Sequence, residues 1–480
     1  MTDTSASRGP TRRTVLQSSA AGLAGALTGA TGRSARAAGS ATAKPSGLNM
    51  LYATVEADSD AIKSVLQDFR GEFGFDIHLD TMPYNSLQQK AFAELASQSS
   101  YYDIMIVDTP WMPALTHKIL PITDMLRDGS NGNAAALDIG DFIPKVFFDT
   151  CVFKPDASYL HWAGGDAVDP EAIKRAGFEI YGLPIQANVL TLAYRKDLFD
   201  SAAEQQAYKQ KFGKDLAVPA TWDEFTTVAE FFTRPSKRLW GTTLMAGAGD
   251  WATDDFKTLL ACFGGDGHMV NDKFETVFDS PEGVAALSYY VDLIQKRKVV
   301  PPGTTSASWD TAATEFSTGL AAMSMNYHTE TLSSGVHGAL AYAMVPKNVQ
   351  YGPHFGTWML SVNSFSNNKD WAYRAIRWFT SKDVQAKMLS TQLHPTRRSA
   401  YAAAEKDPAM AQKFGNFYEI LGKSLEVGVG RPRLTNYSDV DRAIWVAVNN
   451  AATGAAEPAA ALHHAAQDVT RLLHEAGYTH

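Results

Sequence analysis

Cysteine is nearly absent: Cys151 and Cys262 are the only two in 480 residues. A framework of several disulfides is therefore excluded, and both read as buried free thiols. Runs of like charge are missing as well. No block of five or six occurs, and the formal net charge is -8, so nothing supplies the basic footprint of a nucleic-acid binder. No apolar stretch approaches the roughly 20 residues that cross a bilayer. Catalytic and metal signatures are also lacking. There is no HExxH, no GxSxG and no paired CxxC, and GDGH at 265–268 lacks the Lys and Ser or Thr of a phosphate loop. His463 and His464 are helical neighbours that cannot share a face. Neither an enzyme nor a metal or cofactor is expected.

What is present suits a large globular core: 45% hydrophobic, 20% charged and 11% aromatic residues. The first residues have an export layout. Arg12-Arg13 precede a weakly apolar stretch from Ala20 to Ala30, and Ala35-Arg36-Ala37 is a small-x-small site. We expect residues 1–37 to be a twin-arginine signal peptide cleaved near Ala37. Neither cysteine lies near that site, which points to a periplasmic, non-lipidated product.

Beyond a flexible segment at 38–47, strands and helices alternate. Leu48–Ala53, Phe75–Leu79, Tyr102–Val107 and Val189–Tyr194 read as strands. Asp60–Phe73 and Ser86–Ser97 have helical spacing. Thr221 with Glu224 forms a capping box, Ser280-Pro281 starts another helix, and 370–388 and 458–476 are long helical segments. Residues 130–169 read as an irregular insertion. Such alternation implies α/β layers with mostly parallel sheets.

Five segments stand out: YDIMIVDTPW ending at Trp111, YGLPIQANVLTLAYRKDLF at 181–199, GLAAMSMNYH at 319–328, GTWMLSVN at 356–363 and the Ala-rich 449–473 segment. In this order they resemble the family 1 extracellular solute-binding proteins, the group that includes the maltose-binding protein. The resemblance implies a two-lobed clamp with three hinge crossovers. The first lobe would span 48–186 plus 362–395, and the second 187–361 plus 396–480. It also implies capture of a sugar, polyol or short oligosaccharide for the membrane permease subunits of an ABC importer, by a monomer without nucleic-acid partners.

A site for hydroxyl-rich solutes needs hydrogen-bonding side chains and aromatic planes, placed beyond the carboxyl ends of strands. That rule selects Glu56, Asp108 and Trp111. Asn188 lies at the first crossover, where the resemblance aligns it with a ligand carboxylate. Asp250 and Trp251 follow a Gly-rich turn, Asn326 and Tyr327 end a strand, and Trp358 lies on the return crossover. Arg397 offers a planar fork of donors. Each also fits a structural role, such as turn capping for Asp108, core packing for Trp111 or a salt bridge for Arg397. An exported glycosidase or lyase, or a receptor serving a chemosensor, are the alternatives. A glycosidase needs two carboxyls at a fixed separation, and no segment fixes such a pair.

Overall fold

The computed structural model describes residues 43–54, 56–128, 137–327, 340–391 and 393–478, without the side chains at 56–58 and 85. The expected signal peptide lies outside the described residues.

Eleven strands are described: β1 Gly47–Ala53, β2 Asp76–Met82, β3 Ile104–Asp108, β4 Val152–Phe153, β5 Glu179–Ile180, β6 Leu183–Val189, β7 Thr191–Arg195, β8 Trp240–Thr243, β9 Ala321–Asn326, β10 Leu340–Ala343 and β11 Phe355–Val362. They form two main sheets, β2-β1-β3-β11-β6 and β10-β7-β9-β8, and a small β4-β5 ribbon. β1 is parallel to β2 and β3, whereas β11 runs antiparallel between β3 and β6. Every residue of β3, IMIVD, is buried. A continuous apolar run is what a strand covered on both faces requires.

Each sheet anchors its own core. In the first lobe Ala61, Ile62, Val65 and Phe69 of the Glu56–Phe73 helix turn one stripe onto Leu48, Met50 and Ile104. In the second, the Trp222–Phe232 helix packs Phe225, Val228, Ala229 and Phe232 inward, and the expected capping box of Thr221 and Glu224 is formed. Ser280 likewise caps the Pro281–Val291 helix by accepting the Gly283 N–H. A third cluster, with Ala187, Val189, Phe355, Phe417 and Leu421, lies where the chain passes between sheets.

Two expected elements are divided. The strand expected at Val189–Tyr194 breaks at Leu190, because β6 belongs to the first sheet and β7 to the second. The crossover is thus one buried residue. The helix expected over 370–388 splits into Lys369–Phe379 and Lys382–Met388. There Thr380 Oγ1 donates to the Ile376 carbonyl, Ser381 Oγ to that of Trp378, and Arg397 Nε to that of Thr380. Side chains bonding the backbone locally compete with helix continuation. Within the expected insertion at 130–169, the described part carries a Pro144–Cys151 helix and β4. The lobe edges expected at 186/187 and 361/362 fall inside β6 and within one residue of the end of β11, both strands of the first sheet. Cys151 and Cys262 are free and buried, in separate cores. Among the described residues no helix is long and apolar enough to cross a membrane.

Candidate ligand-binding cleft

β3 ends at Asp108, and the Thr109–Ala114 turn of 3-10 helix follows with Trp111 in it. The Tyr84–Ala96 helix brings Tyr84 and, one turn on, Gln88 beside them. Facing these, Gly249 leads into the Asp250–Cys262 helix, whose first turn carries Asp250 and Trp251. The Tyr437–Thr453 helix adds Tyr437, Asp441 and Trp445, spaced four apart on one face. Arg431 and these residues, Asp108 excepted, line a cavity of about 270 Å³.

The two walls touch at the rim. Gln88 Nε2 donates to Ser438 Oγ over 3.3 Å, and the Tyr84 ring meets Trp309 edge-on at 6.1 Å. Behind the rim, Tyr84 stacks on Trp358 (5.9 Å, 15°) and lies 5.3 Å from Trp111. Trp251 meets Trp309 at 5.2 Å.

Arg431 ties the walls electrostatically. Its Nη2 donates to Asp254 Oδ1 and Oδ2 at 3.1 and 3.3 Å, and its Nη1 to Asp108 Oδ2 at 3.5 Å. Asp254 also accepts from Tyr327 Oη at 2.8 Å and faces His354 Nε2 at 3.0 Å. Burial pushes Asp254 up, but Arg431, His354 and Tyr327 outweigh it and hold the carboxyl below the usual carboxylate range. Asp108 goes the other way. Burial raises it to about 6, against the longer Arg431 contact and a 2.5 Å hydrogen bond from Tyr84. The ion pair proper is therefore Arg431–Asp254. Lys257, fully buried one turn along, donates to the carbonyls of Val429 and Gly430 and so fixes the segment carrying Arg431.

Of the residues selected from sequence, Trp111, Asp250 and Trp251 line the cavity, and Asp108 reaches it through Arg431 and Tyr84. Trp358 backs Tyr84, and Tyr327 backs Asp254. Asn326 donates to the Trp309 carbonyl and accepts the Tyr327 N–H, so it shapes the wall from behind. Two others stand elsewhere. Asn188 pairs with His394 at the crossover. Arg397 is fully buried over the Phe142 ring and spends its donors on Thr380, Leu137 and Asp138 carbonyls and on Asp141. The fork expected to meet solute hydroxyls is instead taken up by partners of the first lobe. Glu56 begins a helix, and its side chain is not among those described. Sequence reasoning missed Tyr84, Gln88, Arg431, Asp441 and Trp445. An acid between aromatics at four-residue spacing (Tyr437, Asp441, Trp445) was an available signal.

Gly249 has a specific task. A Cβ there would lie 2.3–2.5 Å from the Trp251 ring. We expect Gly249→Ala to displace Trp251 from the cavity wall and weaken solute binding about tenfold or more, with melting temperature little changed. Titration calorimetry alongside a melting curve checks this.

Two α/β lobes, closed on a polar, aromatic-walled cavity at strand and helix ends, define a clamp-type solute receptor. The comparisons agree. The model of the bacterial extracellular solute-binding protein family matches residues 53–386, and the chain belongs to that family. A probable amino-acid ABC transporter periplasmic-binding protein of Sinorhizobium fredii is 23% identical over 433 residues, 89% of either chain. The maltose-bound MalE3 of T. maritima superposes with a TM-score of 0.71 at 24% identity, covering 89% of this chain and 100% of that one. A ribitol-bound ABC transporter solute-binding protein of Agrobacterium radiobacter gives 0.70 at 25% identity, covering 89% and 98%.

Proposed function

We propose that this protein captures a single sugar or polyol in the cleft and presents it, with the lobes closed, to the permease subunits of an ABC importer. One observation carries the reading. Trp111 and Trp251 come from opposite lobes onto one cavity that also holds Asp250, Asp441 and Arg431. Aromatic planes suit the C–H faces of a sugar, and carboxylates and a guanidinium suit its hydroxyls. Only the closed state makes both sets of contacts, so the solute favours closure. The ribitol- and maltose-bound relatives support the solute class. The volume favours one ring or one linear polyol, because it lies just under the roughly 300–1,000 Å³ usual for ligand pockets.

The reading includes export by the twin-arginine route, a non-lipidated monomer in the periplasm and no catalytic step. Arg12-Arg13 and the Ala35-Arg36-Ala37 site support the export part. With 10 tryptophans, intrinsic fluorescence reports binding. We expect pentitols, hexitols or monosaccharides to shift emission in proportion to their occupancy and to raise the melting temperature with the logarithm of their concentration, and maltose to do neither. A full panel without effect on either signal would remove the proposal.

A further inference from the structure

We propose that the solute carries a basic nitrogen beside its hydroxyls, as an amino sugar or amino-polyol does. This rests on the receptor reading above and narrows it. The charge left facing the cavity calls for a cation. Arg431 is its cation, yet both terminal nitrogens are engaged, Nη2 by Asp254 and Nη1 by Asp108. Neither of those carboxylates is among the lining residues, whereas Asp250 and Asp441 are. The other cations nearby turn away. Lys257 is committed to the Val429 and Gly430 carbonyls, and the exposed Arg442 lies near Asp439. Asp441 is buried and accepts a long 3.4 Å contact from Tyr437 Oη.

The cavity thus presents two acids that its own cation does not balance, walled by Tyr84, Trp111, Trp251, Tyr437 and Trp445. Enclosed carboxyls with aromatic faces are what an ammonium group meets best, with three donors for the acids and its charge over the rings. A second observation calls for oxygen on the same solute. Among the described residues the indole Nε1 of Trp111, a residue 2% exposed, has no acceptor, and Trp111 lines the cavity. A hydroxyl would fill that place. The titration behaviour agrees: burial raises Asp441 to about 7 and Asp250 well above the carboxylate range, where the Asp441 charge adds to the shift. A bound cation relieves both effects.

The test is titration calorimetry of the full chain with sorbitol and with 1-amino-1-deoxysorbitol, which differ by one hydroxyl exchanged for an amine. We expect the amine to bind at least about tenfold more tightly at neutral pH. Asp441→Asn and, in parallel, Asp250→Asn should bring the ratio of the two affinities to within about threefold. The half-buried Asp250 supplies the variant if Asp441→Asn fails to fold. Equal or tighter binding of sorbitol overturns the inference and leaves the receptor reading intact. An unchanged ratio in a folded variant also overturns it. Failure of both probes and of the neutral panel removes the receptor reading itself.

Discussion

Arg431→Met should cost about 3–5 kcal/mol of stability, the range found when one partner of a buried ion pair is removed. Arg431 is 6% exposed and joins Asp108 of the first lobe to Asp254 of the second. Without it Asp254 keeps two polar neighbours, Tyr327 and His354, but loses its close cation. Among the described residues Asp108 keeps the Tyr84 hydroxyl as its side-chain donor. The cost is therefore desolvated charge rather than lost packing, and a second change should recover part of it. Arg431→Met combined with Asp254→Asn should be more stable than Arg431→Met alone by roughly 1 kcal/mol or more, a coupling that chemical denaturation measures as a double-mutant cycle. Additive losses would show that the two groups do not act as a pair.

Tyr84→Ala should have the largest effect on binding, about a hundredfold loss, because the side chain combines four contacts at the centre of the site. It stacks on Trp358, meets Trp111 and Trp309, and donates to Asp108. Tyr84→Phe separates these. The rings remain, one hydrogen bond to a buried carboxyl is lost, and affinity should fall about tenfold. Calorimetric titration with the tightest solute of the panel reads both. A Tyr84→Phe loss equal to that of Tyr84→Ala would place the whole effect on the hydroxyl.

The fold was legible because its signals are local. Ile104–Val107 is a continuous apolar run, and Thr221 with Glu224 meets its cap within one turn, so both signals are local. The crossover at Leu190 was hidden for the opposite reason: Val189–Tyr194 is one largely apolar stretch, and only pairing with different sheets divides it. Within the cleft, Asp108 and Trp111 could be selected because strand ends in α/β sheets face ligand crevices, and Asp250-Trp251 because a Gly-rich turn opens their helix. Arg431 could not. Its partners lie 323 and 177 residues away in sequence, and nothing in GRPRL marks it. Arg397 shows the same ambiguity reversed. Two arginines carry identical chemistry, and the carbonyls of Leu137, Asp138 and Thr380 decide that this one supports the first lobe.

A crystal structure of residues 43–480 grown with the tightest solute of the panel decides whether this cleft is where the solute binds. The account predicts one solute molecule between Trp111 and Trp251, with oxygens or nitrogen on Asp250, Asp441 and Arg431 and the Gln88–Ser438 contact closed above it. Solute bound elsewhere, with only water in this cavity at saturating concentration, would contradict it.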